Sequence, residues 1–100
     1  MVLEFEWDEE KNIINQMKHG ISFDRAKKVF FDSLRTVLYD CEHSLYEDRW
    51  KTIGLMGLTM LMVIYTEREG VIRIISARKA YKKEEEAYYN GYCTNKSLWP

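Results

Sequence analysis

Proline is nearly absent from this chain: of its 100 residues only the last, Pro100, is one, and glycine occurs five times. With so few breakers there is no Pro- or Gly-rich linker, and no segment is repetitive or of low complexity, so a single domain is expected. Cysteine is scarce as well. Cys41 and Cys93 lack CxxC spacing, which predicts two reduced thiols rather than a bridge. Cys41-Glu42-His43 sets two soft ligands on one strand face, but no second pair follows, so neither a zinc centre nor any other cofactor is expected. Long hydrophobic runs are missing too: none approaches the roughly 20 residues that a membrane helix needs. The acidic start, MVLEFEWDEE, has no basic flank followed by an apolar stretch and does not read as a signal peptide. A cytoplasmic protein is the expectation.

Hydrophobic residues make up 46% and charged residues 31% of the chain, a balance that suits one globular domain with one core. The net charge of −1 argues against a protein that holds nucleic acid through its overall field. The distribution of charge points the other way. Between Arg68 and Lys83 stand six bases (Arg68, Arg73, Arg78, Lys79, Lys82, Lys83) against one acid, Glu69, so this segment carries +5 and the rest −6. A near-neutral chain can thus carry a basic patch suited to phosphates. Pairing of Lys82 and Lys83 with Glu84, Glu85 and Glu86 on a solvated helix would account for the same residues.

Phe5 to Trp7 reads as a short strand, and Asp8 as the N-cap of a first helix, about Glu9 to His19, with Glu9 and Glu10 where the helix dipole favours acids. Ile13 or Ile14, Met17 and Ile21 recur at helical spacing, and Gly20 is a natural terminator. Ser22 then caps a second helix, Phe23 to Phe31, with Phe23, Ala26, Val29 and Phe30 on one face. Four strands in meander order follow: Thr36–Tyr39, Arg49–Leu55, Met60–Thr66 and Val71–Ala77. A last helix, about Lys82 to Asn90, is stopped by Gly91, which bounds a single domain at 1–91 and leaves 92–100 as a loose tail. The expected class is α+β: two N-terminal helices, an antiparallel meander sheet and a C-terminal helix, with the helices on one sheet face and the other face open.

Within the apolar stretch Val63 to Ala80, VIYTEREGVIRIISARKA, stand two arginines that a buried strand has no structural reason to keep. Glu67 to Gly70 reads as a tight connection and Val71 to Ala77 as the returning strand. On strand parity Arg73 shares a face with Val71 and Ile75, and Arg78 with Ile72, Ile74 and Ser76, so the two point apart. A bulge or strand end near Ser76 and Ala77 would re-aim Arg78, and bulges concentrate beside active sites. Ion pairing of Arg73, with Arg78 at a solvated strand end, is the structural alternative.

The run Phe5-Glu6-Trp7-Asp8, Lys11, Asn15, Lys18-His19-Gly20, Phe23, Ala26 and Val29-Phe30, continued by Arg49, Tyr65-Thr66-Glu67-Arg68, Arg73-Ile74-Ile75-Ser76-Ala77-Arg78 and Tyr88, resembles the BrnT family of toxins. The resemblance spans about Phe5 to Tyr89, and its specificity lies in the order and spacing of short fragments. It implies a RelE-like fold and a metal-independent ribonuclease that blocks translation. It also implies an antitoxin with a ribbon-helix-helix DNA-binding domain, which neutralises the toxin and represses their shared operon. Two such chains are needed to form a DNA-reading ribbon, so a heterotetramer is expected, touching DNA only through the antitoxin. A non-catalytic binding module of the same fold, acting only within that complex, is the second reading, because fold alone does not decide function.

Cleaving RNA without a metal uses the 2′-OH as nucleophile, so the protein must supply a base, cations for the phosphorane's charge and an acid for the leaving oxygen. Arginine suits the charge because its fork matches two phosphate oxygens, which makes Arg73 and Arg78 the first candidates. His19 is one of two histidines, the residue type suited to moving protons under physiological conditions, and is a candidate base or acid; alternatively Lys18 and His19 simply cap a helix C-terminus. Glu67 is a candidate base, and Tyr65 a candidate proton donor or stacking platform or else a core aromatic. Arg49, with Lys51 on the same face, extends the phosphate track that Arg68, Lys79, Lys82 and Lys83 begin. His43, in a polar loop, reads as solvated.

Overall fold

The computed structural model describes the backbone of residues 3–98 and the side chains of residues 3–90. A three-residue strand, β1 (Glu4–Glu6), leads into α1 (Glu9–His19). Asp8 starts α1 by accepting from the backbone N–H groups of Glu10 and Lys11 at 2.9 and 3.4 Å. Gly20 ends it at φ 71°, its N–H returning to the Gln16 carbonyl, a left-handed terminus that glycine adopts without strain. Ser22 caps α2 through a bond from Arg25 N–H, but α2 is α-helical only over Phe23–Ala26 and tightens into a 3-10 segment at Lys27–Phe31. The expected second helix is therefore a single α turn, and α1 alone is a full helix before the meander. Val29 and Phe30 are weak helix formers, and the Asp32 carboxylate draws the chain out of the helix by accepting from Leu34 and Leu55 N–H.

β2 (Thr36–Tyr39), β3 (Trp50–Met56), β4 (Thr59–Arg68) and β5 (Val71–Lys79) form the expected antiparallel meander. The sheet as a whole is mixed, because β1 pairs in parallel with β5, placing Glu6 beside Arg73 in the order β1-β5-β4-β3-β2. Phe5 explains why β1 joins: its ring packs against Phe30 at 5.4 Å, so pairing also buries an aromatic.

Helices cover both faces, not one. On the first, Phe23, Ala26, Val29 and Phe30 pack on Leu61, Val63, Tyr65, Ile74 and Ala77. On the second, Tyr88 of α3 (Lys82–Leu98) packs on Ile53, Met60 and Met62. The pleat sends alternate residues of β4 to opposite faces, and β4 is apolar on both, so each needs a cover. The Tyr88 hydroxyl of α3 donates to Asp32 at 2.8 Å and ties the two layers together. The backbone of α3 continues through Gly91, where a stop was expected, to Leu98; a glycine costs a helix about 1 kcal/mol without breaking it. The side chains of the expected tail, and residues 99–100, lie outside the described set.

The helical spacing of Ile13, Ile14 and Met17 does not mark a buried stripe. All three are exposed, and the residues α1 buries are Asn12 and Asn15. Buried amides require hydrogen-bond partners, and these have them: Asn12 Oδ1 accepts from Phe23 N–H at 2.9 Å, and Asn15 bonds Ile21 and Ala77.

Candidate active-site groove

β1 covers the outer edge of β5 only from Val71 to Arg73. Beyond that point α1 takes over, and Asn15 stands where a strand would: its Nδ2 donates to the Ala77 carbonyl at 2.8 Å and its Oδ1 accepts from Ala77 N–H at 3.1 Å. A groove opens between the end of α1 and this edge. Its inner part is lined by Lys11, Ile14, Lys18, His19, Ile75 and Ser76. The outer part, about 310 Å³, is lined by Lys18, His19, Arg78, Lys79 and Tyr81.

A bulge aims Arg78 here. Ile64 lies opposite Ser76 but Tyr65 lies opposite Ile74, so Ile75 is an extra residue in β5, one position before the expected place. The insertion reverses the parity that would separate the two arginines. Arg73 now pairs with Thr66 and Arg78 with Met62, two residues of one β4 face. They share that face without meeting, being roughly 15 Å apart along the strand.

Arg78 is held on three sides. Its Nη1 and Nη2 donate to the two oxygens of Glu84 at 2.8 Å each, and Nη1 also donates to the Lys79 carbonyl at 3.1 Å. The guanidinium carbon sits 3.7 Å from the centroid of the Tyr81 ring, a stacked cation–π arrangement. Of the five guanidinium N–H groups, Nε–H and one on Nη2 remain without a protein partner among the described residues. Those two form a second fork, the shape that receives two phosphate oxygens. Glu84 also accepts from Tyr81 N–H at 2.7 Å, which fixes the first turn of α3. The Glu84 bond raises the Arg78 pKa further. Burial pushes the Glu84 carboxyl up, but the bonds from Arg78 and Tyr81 outweigh it and hold the group below its usual range.

Lys18 and His19 do not cap the helix end with their side chains. Gly20 N–H performs that task, and neither side chain makes a hydrogen bond or ion pair among the described residues. Lys79 is likewise unpaired, as are Lys82 and Lys83, exposed in the first turn of α3.

The remaining candidates lie elsewhere. Arg73 pairs with Glu6 at 3.1 Å and Arg68 with Glu47 at 2.8 Å. Arg49 reaches the same Glu47 at 3.9 Å and has a buried Nε with no hydrogen-bond partner among the described residues. Glu67 is exposed in a separate cleft with Glu47, Trp50 and Arg68. Tyr65 is 5% exposed, edge-on to Phe30 at 4.9 Å, and burial raises its hydroxyl pKa. Tyr81, Glu84 and the strand-like role of Asn15 were not read from the sequence as parts of a site. An acid three residues into a helix is a capping signal, and Glu84 stands at that position. Among the described residues no three His, Cys, Asp or Glu side chains gather as metal ligands would, and no helix is long and apolar enough to cross a membrane.

The fold and groove define a small α+β protein with a cationic cleft at a sheet edge. A family model, the ribonuclease toxin BrnT of type II toxin-antitoxin systems, matches residues 7–84. The chain belongs to that family, and membership implies an RNA substrate and an antitoxin partner. A comparison with curated proteins finds no match.

Proposed function

We propose that this chain is a RelE-like endoribonuclease that cleaves RNA without a metal, blocks translation in the cytoplasm, and uses the Lys18–His19–Arg78 groove as its active site. The observation that carries this reading is the open fork of Arg78, fixed by Glu84 and Tyr81 in a cleft that also contains His19. Two oxygens of the scissile phosphate bind that fork, and the negative charge of the phosphorane builds where a preorganised cation meets it. The ribose 2′-OH attacks the adjacent phosphorus and loses its proton to a base; the P–O5′ bond breaks and the 5′-oxygen takes a proton from an acid. His19 serves as base or acid, and Lys18 and Lys79 stabilise charge. The open side of Tyr81, 64% exposed, suits base stacking, and Lys82 and Lys83 extend the phosphate track. The products are a 2′,3′-cyclic phosphate and a 5′-OH. The partner in this reading is a ribbon-helix-helix antitoxin in a heterotetramer.

Incubating purified protein with RNA in EDTA tests the reading, with His19→Ala as control. Cyclic phosphate ends that disappear in the control support it. Activity lost in chelator and restored by Mg²⁺ overturns the mechanism, and no cleavage with antitoxin binding intact leaves the non-catalytic module.

A further inference from the structure

Helix α1 is inverted: it buries Asn12 and Asn15, 7% and 5% exposed, and turns Ile13, Ile14 and Met17 outward at 51%, 52% and 82%. Hydrophobic residues at helical spacing normally face a core, and an outward apolar stripe marks an interaction surface. On the helical wheel Ile13 and Met17 form the stripe, Ile14 borders it, and Lys18 and Lys11 follow toward β5. Ile14, Lys11 and Lys18 are also walls of the groove. The stripe and the groove are therefore one continuous surface, apolar at one end and cationic at the other.

We propose that this surface docks the antitoxin of the pair through a segment that is apolar on one side and acidic along its border. The apolar side covers Ile13, Ile14 and Met17, and the acids meet Lys11, Lys18 and Arg78, closing the groove. Three side chains cannot supply the roughly 800 Å² per partner of a standard interface, so an occupant of the stripe must extend, and the adjoining surface is the cationic groove. Charge complementarity selects an acidic border and accelerates encounter. The β2 strand, with Val37, Leu38 and Tyr39 about half exposed, is another run of exposed apolar residues among those described. It lies at the opposite edge of the sheet, where a bound segment would not reach the groove. The proposal rests on family membership for its partner and on the groove for its consequence, but not on the cleavage chemistry.

The test measures affinity for the purified antitoxin by calorimetry, using intact protein carrying Ile13→Glu, Met17→Glu, Lys11→Glu or, at the other edge, Val37→Lys. The two apolar variants are expected to weaken binding at least tenfold. Lys11→Glu should weaken it severalfold and flatten its salt dependence, and Val37→Lys should stay within twofold of the parent. Melting temperatures of the α1 variants should match the parent, as should RNA cleavage by unbound Ile13→Glu and Met17→Glu. Parental affinity in both apolar variants overturns the proposal, as does selective loss in Val37→Lys. It is equally overturned if Met17→Glu abolishes self-association while leaving antitoxin affinity intact, since the occupant is then a second copy. The deciding readouts are affinities, so they settle the matter even if the parent cleaves no RNA.

Discussion

The side-chain amide of Asn15 bonds both the C=O and the N–H of Ala77, at 2.8 and 3.1 Å, across 62 residues of chain. The helix that carries Lys18 and His19 is thereby fixed to the strand that carries Arg78. Asn15→Leu keeps the branching at Cγ, adds some bulk, and leaves Ala77 and the Ile21 carbonyl without their partner. The expected loss is about 2–3 kcal/mol, a fall in Tm of roughly 10–20 °C. Urea denaturation measures it, and an unchanged midpoint would mean that water replaces the amide at no cost.

Arg78→Ala should slow RNA cleavage by about two to three orders of magnitude, the usual loss for one charge-stabilising group. Arg78→Lys should recover little, since an ammonium cannot bond Glu84 and a phosphate as two separate forks. Single-turnover cleavage alongside melting curves separates this from a structural role. An inactive but stable lysine variant fits a phosphate-binding arginine; full activity in it fits an ion-pair partner alone.

Glu84 predicts a pH dependence. Its folded pKa lies below the ordinary 4.5, so near that pH the unfolded chain binds more protons than the folded one and stability rises with pH. The contribution is complete above about pH 4.5 and disappears as the pH falls through the folded value. Glu84→Gln should flatten this part of the acid limb while lowering stability at neutral pH. Parallel acid titrations of both proteins, followed by circular dichroism, provide the check; identical slopes would contradict it.

Gly54 faces the 3-10 segment so closely that an added Cβ would lie 2.9 Å from Val29 Cγ1 and 3.0 Å from Arg35 Cβ. Gly54→Ala must displace one of them, an overpacking cost of about 1–3 kcal/mol. A thermal melt at or above the parent's would show that the layer yields.

Local signals made much of the fold legible. Asp8, Gly20 and Ser22 are short-range caps, and they fix helix ends wherever the sequence places them. The meander followed from alternating and β-branched runs. The parallel pairing of β1 was hidden because three residues carry no periodicity and their partner lies 67 positions away. The inversion of α1 was hidden for another reason: Asn12 and Asn15 earn burial only through backbone groups at Ile21, Phe23 and Ala77, which no local pattern reveals. In the groove, His19 and Arg78 were legible from residue chemistry, and the bulge that aims Arg78 was legible within one residue. Glu84 and Tyr81 were not, because their importance depends on how a helix start meets a strand end.

The groove is assembled from the two ends of the matched region: α1 supplies Lys18 and His19, and the chain must reach Glu84 before Arg78 is clamped. Contacts so distant in sequence form only after the intervening strands are in place. The cleft is therefore incomplete until synthesis has passed Glu84. The outward residues of α1, by contrast, are synthesised well before that point.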